Sequence, residues 1–176
     1  MTFSTIQPRR FLPTIGLILA IGVSGVLHAS EGEVPQILAA VDNAKWRAEC
    51  SGCHMLYHPA LLPERSWRKM MSGLDQHFGK QLKLNATAQK EITDFLVAHA
   101  AERSNSSRAQ RIAKNTQADQ IPLRITETAY FSLQHHDDIG AEVWQRPAVG
   151  GKANCKACHA EAEKGNFDEK AIRIPR

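Results

Sequence analysis

Aromatic residues are scarce in this chain: 3 Trp, 2 Tyr and 6 Phe, or 6% of 176 residues. A core made of side chains alone would lack its bulkiest fillers. Apolar sequence is not in excess either. A mean hydropathy of −0.35 excludes a polytopic membrane protein. Charge of one sign is weak, since 22 Lys and Arg against 18 Asp and Glu leave +4, too mild to imply a nucleic-acid partner. Long alternating strands and a glycine-rich phosphate loop are both missing. The length suits one ordinary domain or two small ones and leaves little room for a large catalytic domain with an extended cleft. At 43% hydrophobic residues, the chain is too apolar to be disordered throughout. What it does have is histidine, at eight, and four cysteines that fall as two close pairs.

The first residues read as an address. Arg9 and Arg10 precede an apolar run over 14–27, and small Ala29 and Ser30 follow at a plausible cleavage point. This predicts an export signal over 1–29. The run is too short and too glycine-rich for a comfortable span. Leu27, three places before the cut, leaves an uncleaved anchor as the alternative. Cleavage removes Arg9 and Arg10 and no acid, so +4 − 2 leaves +2 on the mature chain. Export also implies an oxidising compartment.

The mature chain reads as mainly α. A helix is predicted over 35–49, with Ile37, Leu38, Val41 and Trp46 as its apolar stripe. A second runs over 64–73, with Pro63 as its first helical residue. A third spans 86–103, capped by Asn85 and facing inward with Ile92, Phe95, Leu96 and His99. Over 104–120 the sequence turns polar, and this stretch is assigned as a linker. The segment 121–125 is extended, 126–139 is a short helix, and Pro147, Gly150 and Gly151 open a loop into a short polar tail.

All four cysteines lie in two copies of one motif: Cys50-Ser51-Gly52-Cys53-His54 and Cys155-Lys156-Ala157-Cys158-His159. C-x-x-C-H is the pattern of covalent c-type haem attachment. Two thiols three positions apart reach the two vinyl groups on one side of a porphyrin, and the following imidazole points at the iron. A redox dithiol would want a thioredoxin-like frame, and a zinc site would need four ligands from distant pairs. Neither needs a histidine after the second cysteine. With eight histidines in 176 residues, two such histidines arise by chance with odds of roughly 1 in 500. Two haem c groups are therefore expected, held by Cys50, Cys53, Cys155 and Cys158, with His54 and His159 as iron ligands. Burying on the order of 500 Å² of each would contribute about 10 kcal/mol, which also answers the aromatic shortage.

Each iron has a sixth position. Histidine or methionine there makes an electron carrier, and an open site makes a binder or catalyst. Met55 and His58 follow His54 too closely to reach the opposite face. His99 reads as a packed or rim histidine, and Met70 and Met71 as core filler, although either methionine could serve the first haem. His77 is the better candidate there: it leaves the second helix in Asp75-Gln76-His77-Phe78-Gly79. For the second haem, His135 recurs with Phe131 and Ile139 every four residues and is preferred to its neighbour His136.

The sequence resembles the small exported dihaem cytochromes c. The resemblance is carried by the first motif with Pro59-Ala60-Leu61-Leu62-Pro63 and Ser66-Trp67, and by Gly73-Leu74-Asp75 with His77-Phe78-Gly79. It continues through Arg124-Ile125-Thr126-Glu127-Thr128 with Phe131 and His135-His136, through Trp144 to Gly150, and through Asn154 and the second motif to Phe167-Asp168-Glu169 and Ile174-Pro175-Arg176. It implies a class I cytochrome c-like N-terminal haem domain over 30–103 and a short, irregular C-terminal haem domain over 121–176. It also implies a periplasmic electron carrier with two low-spin bis-histidine haems, and it supports His77. Both His135 and His136 stay compatible with it. Some members pass electrons to a high-spin, oxygen-binding monohaem cytochrome c. Partners are thus expected among redox proteins, such as that cytochrome or a membrane cytochrome b, with no nucleic acid and no membrane span once the signal is gone. His58 looks like a local addition, and no role carries over to it.

Arg65, Arg68, Lys69 and Lys156 are candidates to steer a partner. The rival function is a small haem peroxidase or reductase, or a gas-binding cytochrome, with one open iron. It would need an acid–base group, for which Glu127, Asp137 and Asp138 are the candidates.

Overall fold

The structure, a computed structural model, describes residue 1 and residues 37–135 and 139–176. The chain divides into two units, Met1–Gly32 and Glu33–Arg176, and every element below belongs to the second. The expected signal, with Arg9 and Arg10, lies outside the described residues apart from Met1, and so do His136, Asp137 and Asp138. Among the described residues six α-helices form: α1 (Ala44–Cys50), α2 (Glu64–Ser72), α3 (Ala86–Ala98), α4 (Ser107–Asn115), α5 (Ala129–His135) and α6 (Ala141–Trp144). Among the described residues there is no strand, only an isolated bridge between His77 and Lys80. The chain is mainly helical, as its periodicity implies.

Asn85 begins α3 as expected, its side-chain oxygen accepting the Ala88 N–H at 2.8 Å. The helix buries Ala88, Ile92, Leu96 and Val97. It stops at Ala98 rather than 103, and Ala101–Arg103 forms a separate 3-10 turn. Pro63 stands just outside α2, at φ −71° and ψ 157°, as its cap rather than its first residue. Trp67 and Met71 of α2 pack into one core with Ile92 and Leu96 of α3. The Trp67 indole N–H donates to the Pro59 carbonyl at 2.7 Å, which satisfies its polar end inside that core.

Two expected elements differ. The first helix starts at Ala44, not 35, where Asn43 accepts the Trp46 N–H at 2.8 Å. Leu38 and Trp46 read as one stripe but serve different cores. Trp46 joins the α2–α3 core, whereas Leu38 sits with Ala60, Leu61, Ala101, Ala109, Ile112 and Tyr130. The Leu38 N–H donates to the Gly165 carbonyl at 3.1 Å, a bond that holds it outside any helix.

The stretch 104–120, read as a linker, contains α4, whose Ala109 and Ile112 are buried in that second core between Leu61 and Tyr130. Its inward face is narrow, and two of its arginines lie over aromatic rings. The Arg108 guanidinium carbon is 5.6 Å from the centre of Phe167, and that of Arg111 5.7 Å from that of Tyr130. Arg65 donates to the carbonyls of Thr116 (3.0 Å), Gln117 (2.7 Å) and Gln120 (2.7 Å), covering acceptors just beyond the helix end. Arg65, a candidate for steering partners, is thus committed to holding α4.

Residues 121–176 are built from short pieces. The Thr128 hydroxyl accepts the Phe131 N–H at 3.1 Å and starts α5, the described part of the helix expected over 126–139. The tail returns to the second motif, where the Arg173 N–H donates to the Cys158 carbonyl at 3.1 Å.

His58 is a buried clasp. Its Nε2–H donates to the Ala39 carbonyl at 2.8 Å, and its Nδ1 accepts the Ala60 N–H at 3.1 Å. Only the neutral ring makes both bonds. Burial pushes its pKa below the usual 6.5, so protonation favours the unfolded chain. Its contribution is present above pH 6.5 and is lost as pH falls below that value. His58→Gln is expected to flatten the pH dependence of Tm between pH 7.5 and 5. An unchanged slope would remove His58 from the acid response.

Candidate haem sites

Cys50 is the last residue of α1, and the chain turns from there through Cys53 to His54. Across from His54 stands His77. Their ring centres lie 6.2 Å apart, with planes inclined by 29°. The second motif opens as a 3-10 turn, Cys155–Ala157, and the His159 N–H donates to the Cys155 carbonyl at 2.8 Å. Its ring centre lies 6.3 Å from that of His135, with planes inclined by 83°.

These two separations can be compared with ligation geometry. An imidazole nitrogen binds a first-row metal at about 2.0 Å and sits about 1.15 Å from its ring centre, so two imidazoles on opposite sides of one metal have centres about 6.3 Å apart. Both separations match that figure. His54 is faced by His77, and His159 by His135, the histidine preferred to His136, which lies outside the described residues.

Neighbouring carbonyls orient the rings. The His135 Nδ1 lies 2.8 Å from the Phe131 carbonyl oxygen, and the His54 Nδ1 lies 2.6 Å from that of Met55. A proton on Nδ1 donates to each carbonyl and leaves the Nε2 lone pair for a metal. The Phe131 ring lies 4.1 Å from His135, and Phe167 lies 5.3 Å from His159. Trp144, 5.8 Å from His135, adds a third aromatic wall. Of eleven aromatic residues in the chain, three gather at this one site.

His77 is held differently. Phe78 has φ +48° and Gly79 φ +86°, so both central residues of the turn are left-handed, as in a type I′ turn. The Lys80 N–H closes the turn on the His77 carbonyl at 3.0 Å. The Arg124 guanidinium covers Phe78, 3.8 Å from its ring centre.

Burial pushes the Cys50, Cys155 and Cys158 thiols up, whereas reactive dithiols have lowered values. Among the described residues no three or more His, Cys, Asp or Glu side chains converge as a metal cluster. Zinc would need such a cluster, but a porphyrin brings four nitrogens and asks the protein for two axial ligands.

The other described candidates have contacts of their own. Met71 is buried in the α2–α3 core and Met70 packs against it. His99 caps α3, its Nδ1 2.8 Å from the Phe95 carbonyl oxygen. Arg68 pairs with Glu64 at 2.8 Å, Lys156 with Glu163 at 2.9 Å, and Glu127 with Arg124 at 3.3 Å.

Tyr57 is a site residue that sequence reasoning missed. Its ring centre lies 4.9 Å from that of His54, and its hydroxyl donates to the Ala153 carbonyl at 2.8 Å, two residues before Cys155. It ties the two motifs together across 96 residues of sequence. Only its position, three residues after the motif histidine, hinted at this. Tyr57→Phe is expected to lower stability by about 1 kcal/mol and leave both haems attached, as read by a denaturant melt and the haem content. Loss of a haem would assign Tyr57 a larger part.

The sequence model for dihaem cytochrome c matches residues 46–167. Solved relatives agree. The diheme cytochrome c from Rhodobacter sphaeroides is 38% identical over 74% of this chain and 99% of its own, with a TM-score of 0.65. The diheme cytochrome c from Shewanella baltica OS155 is 36% identical over 77% of this chain and 95% of its own, with a TM-score of 0.61. No curated protein sequence matches the chain. With that much of its length matched, the chain belongs to the dihaem cytochrome c family, and its four cysteines carry two haem c groups.

Proposed function

We propose that this chain is an exported electron carrier whose two haems are each held between two histidines, His54 with His77 and His159 with His135. The observation that carries this is the facing of each motif histidine by a second imidazole at 6.2 Å and 6.3 Å. Bound haem supplies a one-electron iron couple. The protein's part would be to hold the four imidazoles, with His135 oriented by the Phe131 carbonyl and His54 by that of Met55, and to wall the second site with Phe131, Trp144 and Phe167.

With a second histidine facing each motif histidine, a bound iron would have no position open to a substrate, which favours a carrier over a peroxidase or reductase. Histidine in place of methionine also favours low potentials. The N-terminal haem domain is assigned to 30–103 and the C-terminal one to 121–176, joined through α4. Among the described residues no helix is long and apolar enough to cross a membrane. Export by the 1–29 signal fits a periplasmic carrier that meets redox proteins. Carbon monoxide tests the reading. The reduced protein is expected to bind none rapidly, and fast binding at one haem would point instead to an enzyme or gas binder.

A further inference from the structure

Tyr57 touches, on its two sides, groups that belong to different haem sites. Its ring centre lies 4.9 Å from that of His54, the motif histidine of the first site. Its hydroxyl donates to the Ala153 carbonyl at 2.8 Å, and the Cys155 Sγ lies 3.7 Å from that same oxygen. Once the second haem is attached, that sulfur is one of its two thioethers. One side chain and one carbonyl thus span the gap from the first site's motif imidazole to a covalent anchor of the second.

Among the described residues this is the one hydrogen bond between 50–58 and 153–159. Burial does not demand it. Ala153 is exposed and Tyr57 only half-buried, so water could serve both polar groups. What the bond adds is a fixed spacing between the two motifs. A packed ring and a hydrogen bond in series also form a contiguous network, the kind through which two sites are coupled.

We propose that Tyr57 is the positioning residue for electron exchange between the two haem sites, holding the second attachment segment against the first motif histidine. This rests on the electron-carrier reading with His54 as a ligand. In the step, one electron leaves the reduced site and enters the oxidised one within the same chain. No bond forms or breaks, no proton moves, and Tyr57 stays neutral. A carrier built this way can accept an electron at one site and deliver it from the other.

The test is the rate at which one injected electron redistributes between the haems of the dihaem protein, read after a reducing pulse as the phase independent of protein concentration. One hydrogen bond shifts an equilibrium about five- to tenfold, and Tyr57→Phe is expected to slow that phase by this factor. Tyr57→Leu, which also removes the ring beside His54, should slow it further. Tyr57→Phe should keep both low-spin spectra and both midpoint potentials, a combination that a merely structural tyrosine would not give. In the oxidised protein, the magnetic broadening between the two irons in electron paramagnetic resonance should weaken in the same order. An unchanged rate in both variants, or no concentration-independent phase in the parent, would overturn the proposal and leave the ligand reading standing. Slowing that moved potentials account for would overturn it as well. A parent without two low-spin haems would instead overturn the ligand reading.

Discussion

His135→Ala is expected to open the second haem. One of its two low-spin signals should become high-spin, and the reduced variant should bind one equivalent of carbon monoxide where the parent binds none. The geometry gives the reason. His135 faces His159 at 6.3 Å, and its Nδ1–H is spent on the Phe131 carbonyl at 2.8 Å, which turns Nε2 toward the site. Alanine leaves a gap of one imidazole between Phe131 and Trp144. Neither ring can ligate iron. The first haem, held by other residues, should keep its spectrum, and His77→Ala should produce the mirror result. A His135→Ala protein that stays low-spin and silent to carbon monoxide would transfer the position to another ligand, with His136 the first to test.

Gly165→Ala should lower Tm by about 10 °C. Gly165 has φ +76°, which an L side chain adopts at a cost of about 1–3 kcal/mol. A Cβ there would also stand 2.7 Å from the Leu38 carbonyl oxygen and 2.8 Å from the Leu38 Cβ. Leu38 cannot retreat: it is 1% exposed, and its N–H is bonded to the Gly165 carbonyl at 3.1 Å. Strain and clash together are worth about 3 kcal/mol, and a unit of this size loses about 3–4 °C per kcal/mol. Gly151 separates the two causes. It has φ +102° with nothing within 4 Å of a Cβ, so Gly151→Ala should cost about 1 kcal/mol from strain alone. Equal losses in the two variants would show that the Leu38 contact does not matter. Gly165 also leads into Phe167, so its loss should loosen the wall behind His159.

The chemistry of this chain was more legible than its architecture. C-x-x-C-H is a local pattern, complete within five residues, and needs no tertiary information. The Phe131–His135 spacing put one imidazole on an apolar helix face, and the structure places that imidazole opposite His159. The Asn85 cap was legible for the same local reason. Burial across the chain was harder to read. The pattern over 104–120 is polar because α4 buries only Ala109 and Ile112 and sets Arg108 and Arg111 over rings supplied by Phe167 and Tyr130, far along the chain. Leu38 and Trp46 share a helical period but face two cores, which periodicity cannot separate. His58 looked like an isolated extra histidine because its partners, Ala39 and Ala60, contribute only backbone atoms. The left-handed Phe78 that turns His77 inward has no sequence signal beyond the glycine after it.

The most direct test of two haems held by four histidines is one absorption spectrum with a pyridine haemochrome count. Two haem c per chain are expected, both low-spin in the oxidised protein, with no methionine–iron charge-transfer band. A high-spin haem, or a methionine band, would contradict it.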